Sequence, residues 1–417
     1  SAAEQAAGLA RCEHDGMRFK QPLSPQKPGI PMKLEGLKVL DLSLFLPGPM
    51  LTLALADHGA DVIKIEPKGE GEPTRHVGYE KGGTTVWFRN THRGKRSLQL
   101  DLKAPEGKAI FAALARKADV IVEAFRPGVA ARLGVDYDTV RRDNPGVVYA
   151  AISAFGQTGP HAHRPAHDVA VEAMAGIVAL NEGQDLKPAM PHMPVADALG
   201  SYAALTGVLM ALLRRQTTGL GDYIDVAMLD ACIGWLPNVT GRIFATGEPH
   251  VVKNERSWGG NAMFNLYETA DGRWIVLGGS EVKFARNLLA AVDRLDLLPY
   301  AELPPGPGQE PLRAFLRELF ITRTRDAWEA WFADKDVCFA PVRNLKEAFD
   351  DPNLAARDMF FRDADGMEVI GTPIRFREEP ARIDPAVPAL SQHADAILTD
   401  LGYDPDAIAD LKARGII

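Results

Sequence analysis

Short apolar segments alternate with longer segments of mixed polarity in the first part of the chain. Four apolar segments rich in Val and Ile predict β-strands at residues 38–42, 61–65, 119–122 and 147–152. The segments between the first and second strands, and directly before the third, predict helices. Strands that alternate with helices indicate an α/β fold with a parallel sheet and crossover connections.

The middle and the end of the chain predict further elements. Helices are predicted at residues 169–180, 198–215, 312–320, 325–333 and 396–415, and a pair of strands at 223–226 and 273–277. Residues 303–311, rich in Pro and Gly, indicate a linker or surface loop. The polar, Pro-rich residues 1–32 indicate a flexible N-terminal arm. Between the second and third strands, glycines and the basic stretch 93–96 predict an ordered loop with a functional role.

Composition narrows the class of protein. A length of 417 residues predicts two domains, and a formal net charge of −8 argues against a general nucleic-acid or membrane-surface binder. The three cysteines, Cys12, Cys232 and Cys338, lie far apart and include no CxxC pair, which argues against a disulfide framework or a zinc site. No signal-peptide order and no run of 18 apolar residues occur. We therefore expect a cytoplasmic protein that neither spans a membrane nor holds a metal.

Several common catalytic motifs are missing. The turn after the first strand reads LPGP in place of GxGxxG, which weakens the interpretation as a dinucleotide-dependent dehydrogenase. The patterns GxxxxGK[ST], HExxH and GxSxG are also absent. Phosphate-loop, zinc-protease and serine-hydrolase interpretations therefore lose their main support.

Five segments in order give the chain a specific resemblance. They are LEGLKVLDLSLFLPGPM (34–50), GADVIKIEPKGEGEPTR (59–75), NTHRGKRSLQLDLKAPEGK (90–108), ADVIVEAFRPGVAARLG (118–134) and NPGVVYAAISAFGQTGP (144–160). Together they resemble the class III CoA-transferase family, also called CaiB/BaiF, which includes the α-methylacyl-CoA racemases. The resemblance extends from about residue 33 to the C-terminal segment 401–415.

The resemblance implies an architecture that periodicity alone does not show. It implies a Rossmann-like large domain without the dinucleotide fingerprint, a smaller α+β domain, and an interlocked homodimer. The domains expected on this basis are a flexible arm at 1–32, the first part of the large domain at 33–220, the small domain at 221–340, and a C-terminal segment at 341–417 that returns to the large domain.

Asp197 lies in the segment PVADALGS, immediately before a helix predicted to begin near Ala198. Asp is a favoured helix N-cap, so a purely structural role is one interpretation. A helix N-terminus also stabilises negative charge, which would keep the carboxylate ionised for covalent acyl transfer. The family's catalytic Asp falls on this position, so the resemblance implies that Asp197 is the central reactive group.

His167 and Asp168 precede another predicted helix, and both are candidate catalytic residues, although Asp168 is most simply an N-cap. Many family transferases have an aromatic residue at the position of His167, whereas the racemases have His. Glu281, in the segment GGSEVKF, also matches the racemase pattern, in which a Glu pairs with that His. Such a pair would orient the imidazole as a general base, while the alternative for Glu281 is a solvated carboxylate.

CoA carries a 3′-phosphate and a diphosphate, which are natural partners of Arg and Lys side chains. By resemblance, the positions that hold CoA are Phe45, Leu46, Pro47, Lys95, Ala124, Phe125, Arg132 and Arg164. Ala124 stands where the family frequently has Asn, and Pro67 where it frequently has Arg, so the adenine and phosphate contacts are expected to differ in detail. Gly259 and Gly260 correspond either to a mobile glycine loop over the active site or to a simple turn.

Two enzyme mechanisms share Asp197. In a CoA-transferase, its carboxylate would form an anhydride and then a CoA thioester while CoA moves from an acyl-CoA to a carboxylic acid. In a racemase, Asp197 and His167 would exchange the α-proton of a 2-methylacyl-CoA, with Glu281 holding His167. A non-catalytic CoA-binding protein is a third hypothesis. We expect a CoA-transferase that has no permanently bound cofactor and uses CoA as substrate.

Overall fold

The computed structural model describes residues 31–183 and 185–417. The predicted N-terminal arm, residues 1–32, lies outside this part of the chain except for its last two residues. The chain divides into two compact units. Of the described residues, the first unit comprises those up to His163 together with Gly200–Val226 and Phe349–Ile417, and the second comprises those of Arg164–Leu199 and Ala227–Ala348.

The strands of the described residues are, in chain order, β1 (Lys38–Asp41), β2 (Asp61–Glu66), β3 (Glu80–Lys81), β4 (Thr84–Thr85), β5 (Arg96–Gln99), β6 (Val120–Glu123), β7 (Val148–Ser153), β8 (Tyr223–Ala227), β9 (Phe264–Glu268), β10 (Trp274–Gly278), β11 (Phe339–Pro341), β12 (Phe360–Arg362) and β13 (Glu368–Ile370).

The α-helices of the same residues are α1 (Pro47–Asp57), α2 (Val86–His92), α3 (Pro105–Ala115), α4 (Val129–Leu133), α5 (Tyr137–Val140), α6 (Asp168–Met174), α7 (Ile177–Leu180), α8 (Val195–Thr218), α9 (Met228–Gly234), α10 (Gly241–Thr246), α11 (Val282–Ala291), α12 (Leu298–Ala301), α13 (Glu310–Phe320), α14 (Arg325–Phe332), α15 (Leu345–Phe349), α16 (Pro352–Ala356), α17 (Ala394–Asp400) and α18 (Pro405–Ala413).

The first unit is built on a six-stranded sheet in the order β5-β2-β1-β6-β7-β8, which is the strand order of the Rossmann fold. The registers β1–β2, β1–β6, β2–β5 and β6–β7 are all parallel. The predicted α/β class with a parallel sheet is therefore confirmed, and β1, β2, β6 and β7 match the four predicted strands to within one residue at each end.

Val, Ile and Leu side chains of the strands are buried, as is typical of a parallel sheet that is covered on both faces. Leu40, Ile121 and Tyr149 are at most 2% exposed and belong to one core cluster. The C-terminal helices α17 and α18 complete this core with Ile397 and Leu411. The predicted single helix at 396–415 is in fact these two helices, separated by a turn at Gly402 with φ +94°.

The second unit has its own core around the antiparallel sheet β11-β10-β9. Helices α11, α13 and α14 supply its largest apolar side chains, including Leu288, Phe320 and Trp328, which are at most 1% exposed. Residues 303–311 are not an interdomain linker, because buried Gln309 bonds within this unit to the Ala262 N–H at 2.8 Å. The predicted strands at 223–226 and 273–277 exist, but they belong to different sheets.

Three further predictions differ from the structure. The helix predicted at 169–180 is two helices, α6 and α7, because Gly176 adopts φ +82° between them. Sequence places residues 164–199 in the large domain, whereas they belong to the second unit, in which α6 packs against α9. The basic stretch expected to lie in a loop leads directly into β5, which forms one edge of the large sheet.

Among the described residues, α8 is long and apolar enough to cross a membrane by length and composition, with less than half of the tested stretch buried. Core helices of soluble proteins pass the same test, so it does not by itself indicate a membrane protein.

Candidate active site

Two of the predicted CoA-binding segments follow neighbouring strands of the large sheet. Residues 45–47 lie where the connection after β1 enters α1, and Ala124 and Phe125 come directly after β6. Strands β1 and β6 are parallel neighbours at the point where the order of the sheet reverses. Doubly wound folds bind ligands in the crevice at this switch point, at the carboxyl ends of the strands. The first unit therefore brings these two segments together at the edge where a nucleotide-type ligand is expected.

The first of these segments is held in an uncommon conformation. Phe45 has φ +63°, in the left-handed region that aromatic residues seldom adopt. Its backbone N–H donates to Oε1 of the buried Glu72 at 2.9 Å, and its half-buried ring lies 6.5 Å from the ring of Trp87. Leu46 and Pro47 then begin α1, with Pro47 in its first turn. Glu72 thus stabilises a backbone shape that the local sequence disfavours.

Lys95 is directed into the protein interior. Its fully buried ammonium lies 3.1 Å from the Asp41 carboxylate and donates to the Thr52 hydroxyl at 2.8 Å. Lys64 lies 3.4 Å from the same carboxylate. Burial opposes ionisation of Asp41, but the two ammonium groups outweigh it and hold the pKa of Asp41 well below its usual range. Burial also lowers the pKa of Lys95 to about 8 despite the attraction of Asp41. A direct contact between Lys95 and a CoA phosphate stays a prediction.

The other predicted CoA contacts are more accessible. Ala124 and Phe125 are half-buried, Arg132 is exposed on α4, and Arg164 is exposed at the start of the second unit. The N–H of Phe125 donates to Oε2 of Glu123, a buried acid whose pKa is raised to about 7, chiefly by burial. Arg132 is thus available to an anionic ligand.

A cluster of three acids forms the chemically distinctive part of the second unit. Asp168 and Glu172 lie on α6, and Asp197 lies in the first turn of α8. Oδ1 of Asp168 accepts from the N–H of Asp197 at 3.0 Å, and Oε1 of Glu172 accepts from the N–H of Val195 at 3.1 Å. The first N–H groups of a helix lack partners within the helix. Two side chains of α6 therefore cap α8 from outside.

The ionisation of Asp197 differs from the expectation that a helix N-terminus keeps it readily charged. Burial raises the pKa of Asp197 to about 7, and the nearby carboxyls of Asp168 and Glu172 raise it further in the same direction. Desolvation and like charges thus outweigh the favourable field of the helix. A carboxyl with this pKa is poised to be both an attacking group and a leaving group near neutral pH.

Asp168 is not the N-cap of α6, as its position in the sequence predicts. Helix α6 begins at Asp168 itself, and His167 is the capping residue, with no capping hydrogen bond from its side chain. The Asp168 carboxylate instead caps α8. Asp197 is not an N-cap either, because α8 begins at Val195, two residues before it.

His167 is exposed, and Glu281 is the exposed residue that precedes α11. The predicted pairing of these two side chains stays a prediction.

Gly259 and Gly260 form a packed turn in the second unit. Gly259 adopts φ +94°, and a Cβ added to Gly260 would lie 2.4 Å from the backbone of Asn254. The Gly260 carbonyl accepts from the N–H of Gly306 at 2.9 Å and from the guanidinium of Arg313 at 2.7 Å. These contacts favour the simple turn over a mobile active-site loop.

Comparison with known proteins places this arrangement in a family. The model of CoA-transferase family III matches residues 34–394, which is most of the chain. The chain belongs to the family III CoA-transferases. This confirms the resemblance to the CaiB/BaiF family, and the enzyme is a class III CoA-transferase.

Proteins that are similar to this CoA-transferase over most of its length are also named as CoA-transferases. It is 32% identical over 410 residues to the succinyl-CoA–D-citramalate CoA-transferase of Chloroflexus aurantiacus, with 95% of this chain and 100% of that one covered. It is 33% identical over 388 residues to the acetyl-CoA:oxalate CoA-transferase of Acetobacter aceti, with 90% and 96% covered. A CaiB/BaiF family protein from Brucella suis has a similar structure, with TM-score 0.79, 30% identity, and 89% and 100% covered.

Sequence reasoning missed two acids of this CoA-transferase. Glu72 and Glu172 are both fully buried, and each accepts a backbone N–H at a segment described above. The one signal for Glu172 is its spacing, since Asp168 and Glu172 are i and i+4 on a helix of otherwise small and apolar residues. Like charges at that spacing destabilise an isolated helix, so their occurrence points to a role outside it.

Proposed function

We propose that this enzyme transfers CoA from an acyl-CoA thioester to a carboxylic acid through covalent intermediates on Asp197. The observation that carries the proposal is the placement of a half-buried carboxyl in the first turn of a 24-residue helix, with a pKa near 7. Family membership gives the class of reaction, and this carboxyl is the group in the second unit best suited to perform it.

The reaction requires no net proton and no cofactor. An oxygen of the Asp197 carboxylate attacks the acyl carbon of the donor, the C–S bond breaks, and CoA leaves as a thiolate while a mixed anhydride forms between the acyl group and Asp197. The thiolate then attacks Cγ of Asp197, so that the donor acid leaves as a carboxylate and a CoA thioester remains on Asp197. The acceptor carboxylate reverses both steps and carries CoA away. The oxyanions of both steps would need donors other than the N–H groups of Val195 and Asp197, which already donate to Glu172 and Asp168.

The crevice of the first unit is the proposed site of the CoA nucleotide. Residues 45–47 and 124–125 border the switch point, and Arg132 offers an exposed cation to a phosphate. The two relatives described above are named for dicarboxylic acids, citramalate and oxalate. We therefore propose a short dicarboxylic acid as the acceptor.

We further propose that the enzyme is a homodimer in solution. In the second unit, Met190, Met193, Trp235 and Phe244 are each at least 67% exposed. Monomers seldom leave so many large apolar side chains in water, which supports a covering partner of the same chain. Sedimentation equilibrium should give twice the mass of one chain, and a mass of one chain would contradict this.

A reducing compartment suits both the chemistry and the thiols. Cys232 and Cys338 are both free. We propose that the reaction takes place in the cytoplasm.

One experiment separates the alternatives. The enzyme is incubated in D2O with a panel of acyl-CoAs, with and without dicarboxylic acids, and the products are read by mass spectrometry. A transferase forms new acyl-CoAs only when an acceptor acid is present. Deuterium at the α-carbon without an acceptor would indicate the racemase, in which His167 and Asp197 exchange the α-proton and Glu281 holds His167. CoA binding with neither outcome would indicate a non-catalytic protein.

A further inference from the structure

Glu172 is a buried acid that the mechanism above does not use. Its side chain is fully buried, and its two carboxyl oxygens have different surroundings. Oε1 accepts from the Val195 N–H at 3.1 Å, whereas the buried Oε2 has no hydrogen-bond donor among the described residues. An ionised carboxylate in this place would leave a buried charged oxygen unpaired, which is unfavourable.

The groups that act electrostatically on Glu172 come from three helices. They are Asp168 on α6, Asp197 on α8 and Cys232 on α9. Burial raises the pKa of the Cys232 thiol to about 11, and the acids of α6 add to this, so the thiol stays neutral and adds no charge to the cluster. Burial raises the pKa of Glu172 itself to about 7, with Asp168 acting in the same direction.

Glu172 also lies within hydrogen-bonding reach of the Asp168 carboxyl. Two carboxyl groups form a hydrogen bond only when one of them carries a proton. Protonation of Glu172 removes both the unpaired buried charge and the repulsion with Asp168, because the buried oxygen then becomes a hydroxyl donor.

We propose that Glu172 is a positioning residue that retains a proton in the resting enzyme and donates it in a hydrogen bond to Asp168. One negative charge instead of two then lies beside Asp197. Because Glu172 accepts from Val195 and Asp168 accepts from Asp197, the pair holds two successive points of the first turn of α8. The catalytic consequence rests on the proposed function, in which Asp197 is the nucleophile.

The proton on Glu172 is tested without any substrate. A folded-state pKa above that of an unfolded Glu means that stability falls as pH rises from about 5 towards 7 and stays reduced above it. In Glu172→Gln the amide keeps both hydrogen bonds and does not titrate. We expect this variant to melt about 2 °C or more above wild type at pH 8.5 and within about 1 °C of it at pH 5.5.

Glu302→Gln is the matched control, since Glu302 is an exposed acid of the same unit. Its melting temperature should equal that of the wild type at both pH values. An equal difference between Glu172→Gln and wild type at pH 5.5 and pH 8.5 would overturn the proposal, because it would show that Glu172 does not exchange a proton in this range.

The positioning role is tested by rates of CoA transfer from succinyl-CoA to glutarate, or from the pair that the panel identifies. Glu172→Ala loses both hydrogen bonds, and we expect kcat to fall about tenfold or more while KM for the acyl-CoA stays within about twofold. Glu172→Gln should recover kcat to within about threefold of wild type and leave the lower limb of the pH–rate profile almost unchanged, because a neutral amide replaces a neutral acid.

Full activity in Glu172→Ala would overturn the positioning role. Failure of the wild type to transfer CoA between any pair would instead contradict the proposed function, and the melting experiment would still decide whether Glu172 holds a proton.

Discussion

The carboxylate of Asp168 accepts a hydrogen bond from the backbone N–H of Asp197 at 3.0 Å, although 29 positions separate them in the sequence. This single contact has two effects on the candidate nucleophile. It fixes the first turn of α8, and it places a like charge beside the Asp197 carboxyl, which raises the pKa of that carboxyl in addition to the larger effect of burial. Position and reactivity of Asp197 are therefore linked.

The rate of thioester formation should depend on pH as a carboxylate nucleophile requires. Asp197 attacks only when ionised, and its pKa is raised to about 7, so the rate should fall as pH falls through 7. With a single ionisation we expect the single-turnover rate at pH 6 to be about tenfold lower than at pH 8. Rapid-quench mass spectrometry of the enzyme measures this rate, and a flat profile between pH 5 and pH 8 would contradict the assignment.

Asp168→Asn separates the two effects of Asp168. The amide oxygen keeps the hydrogen bond to Asp197, but the like charge is gone, so the lower limb of the pH–rate profile should move to lower pH. Asp168→Ala loses the bond as well, and we expect about 1 kcal/mol less stability in chemical denaturation together with a lower kcat. Asp230→Asn, on the exposed part of α9, is the control and should change neither quantity.

The contact between Asp168 and Asp197 also explains what sequence could not predict. A local pattern suggests that Asp197 caps its own helix, because capping residues are normally adjacent to the helix they cap. Here the caps come from α6, and α8 begins at Val195. The candidate nucleophile Asp197 can be recognised from the family motif, whereas its neighbour Glu172 cannot, because only tertiary packing distinguishes a buried acid from a solvated one.

Glu72 should govern the affinity for acyl-CoA. Glu72→Ala removes the acceptor of the Phe45 N–H and leaves Lys64, 3.4 Å from Glu72, with Asp41 as its remaining acid. We expect a loss of about 2–4 kcal/mol in the free energy of unfolding and a larger effect on KM for acyl-CoA than on kcat. Glu70→Ala, an exposed neighbour, is the control. An unchanged KM would show that the conformation of Phe45 does not matter for CoA.

Arg132 and Lys95 should respond differently to substitution. The exposed Arg132 is accessible to the 3′-phosphate of CoA. Arg132→Ala should therefore weaken the binding of CoA about tenfold and leave the binding of 3′-dephospho-CoA almost unchanged in calorimetric titration. Lys95→Met leaves Asp41 with one ammonium and should lower stability by about 3 kcal/mol. If Lys95 also meets a phosphate, its variant will discriminate between the two nucleotides as Arg132→Ala does.

The large sheet shows where sequence patterns succeed and where they fail. Strands β1, β2, β6 and β7 are short segments rich in Val, Ile, Leu and Ala, which is typical of a parallel sheet covered on both faces. Strand β5 begins at Arg96, the last of the basic residues 93–96, and this basic stretch obscures the strand in the sequence although Ser97 and Leu98 are fully buried. Its charged neighbour Lys95 is satisfied only by residues far away in sequence, which no local pattern can reveal.

The central claim is that the Asp197 carboxylate carries CoA covalently. The direct measurement is peptide mapping of enzyme quenched after incubation with acyl-CoA, before and after treatment with hydroxylamine. We predict a CoA adduct on the peptide that contains Asp197, its conversion to a hydroxamate, and no adduct in Asp197→Asn. Steady transfer by Asp197→Asn, or an adduct on another residue, would contradict the account.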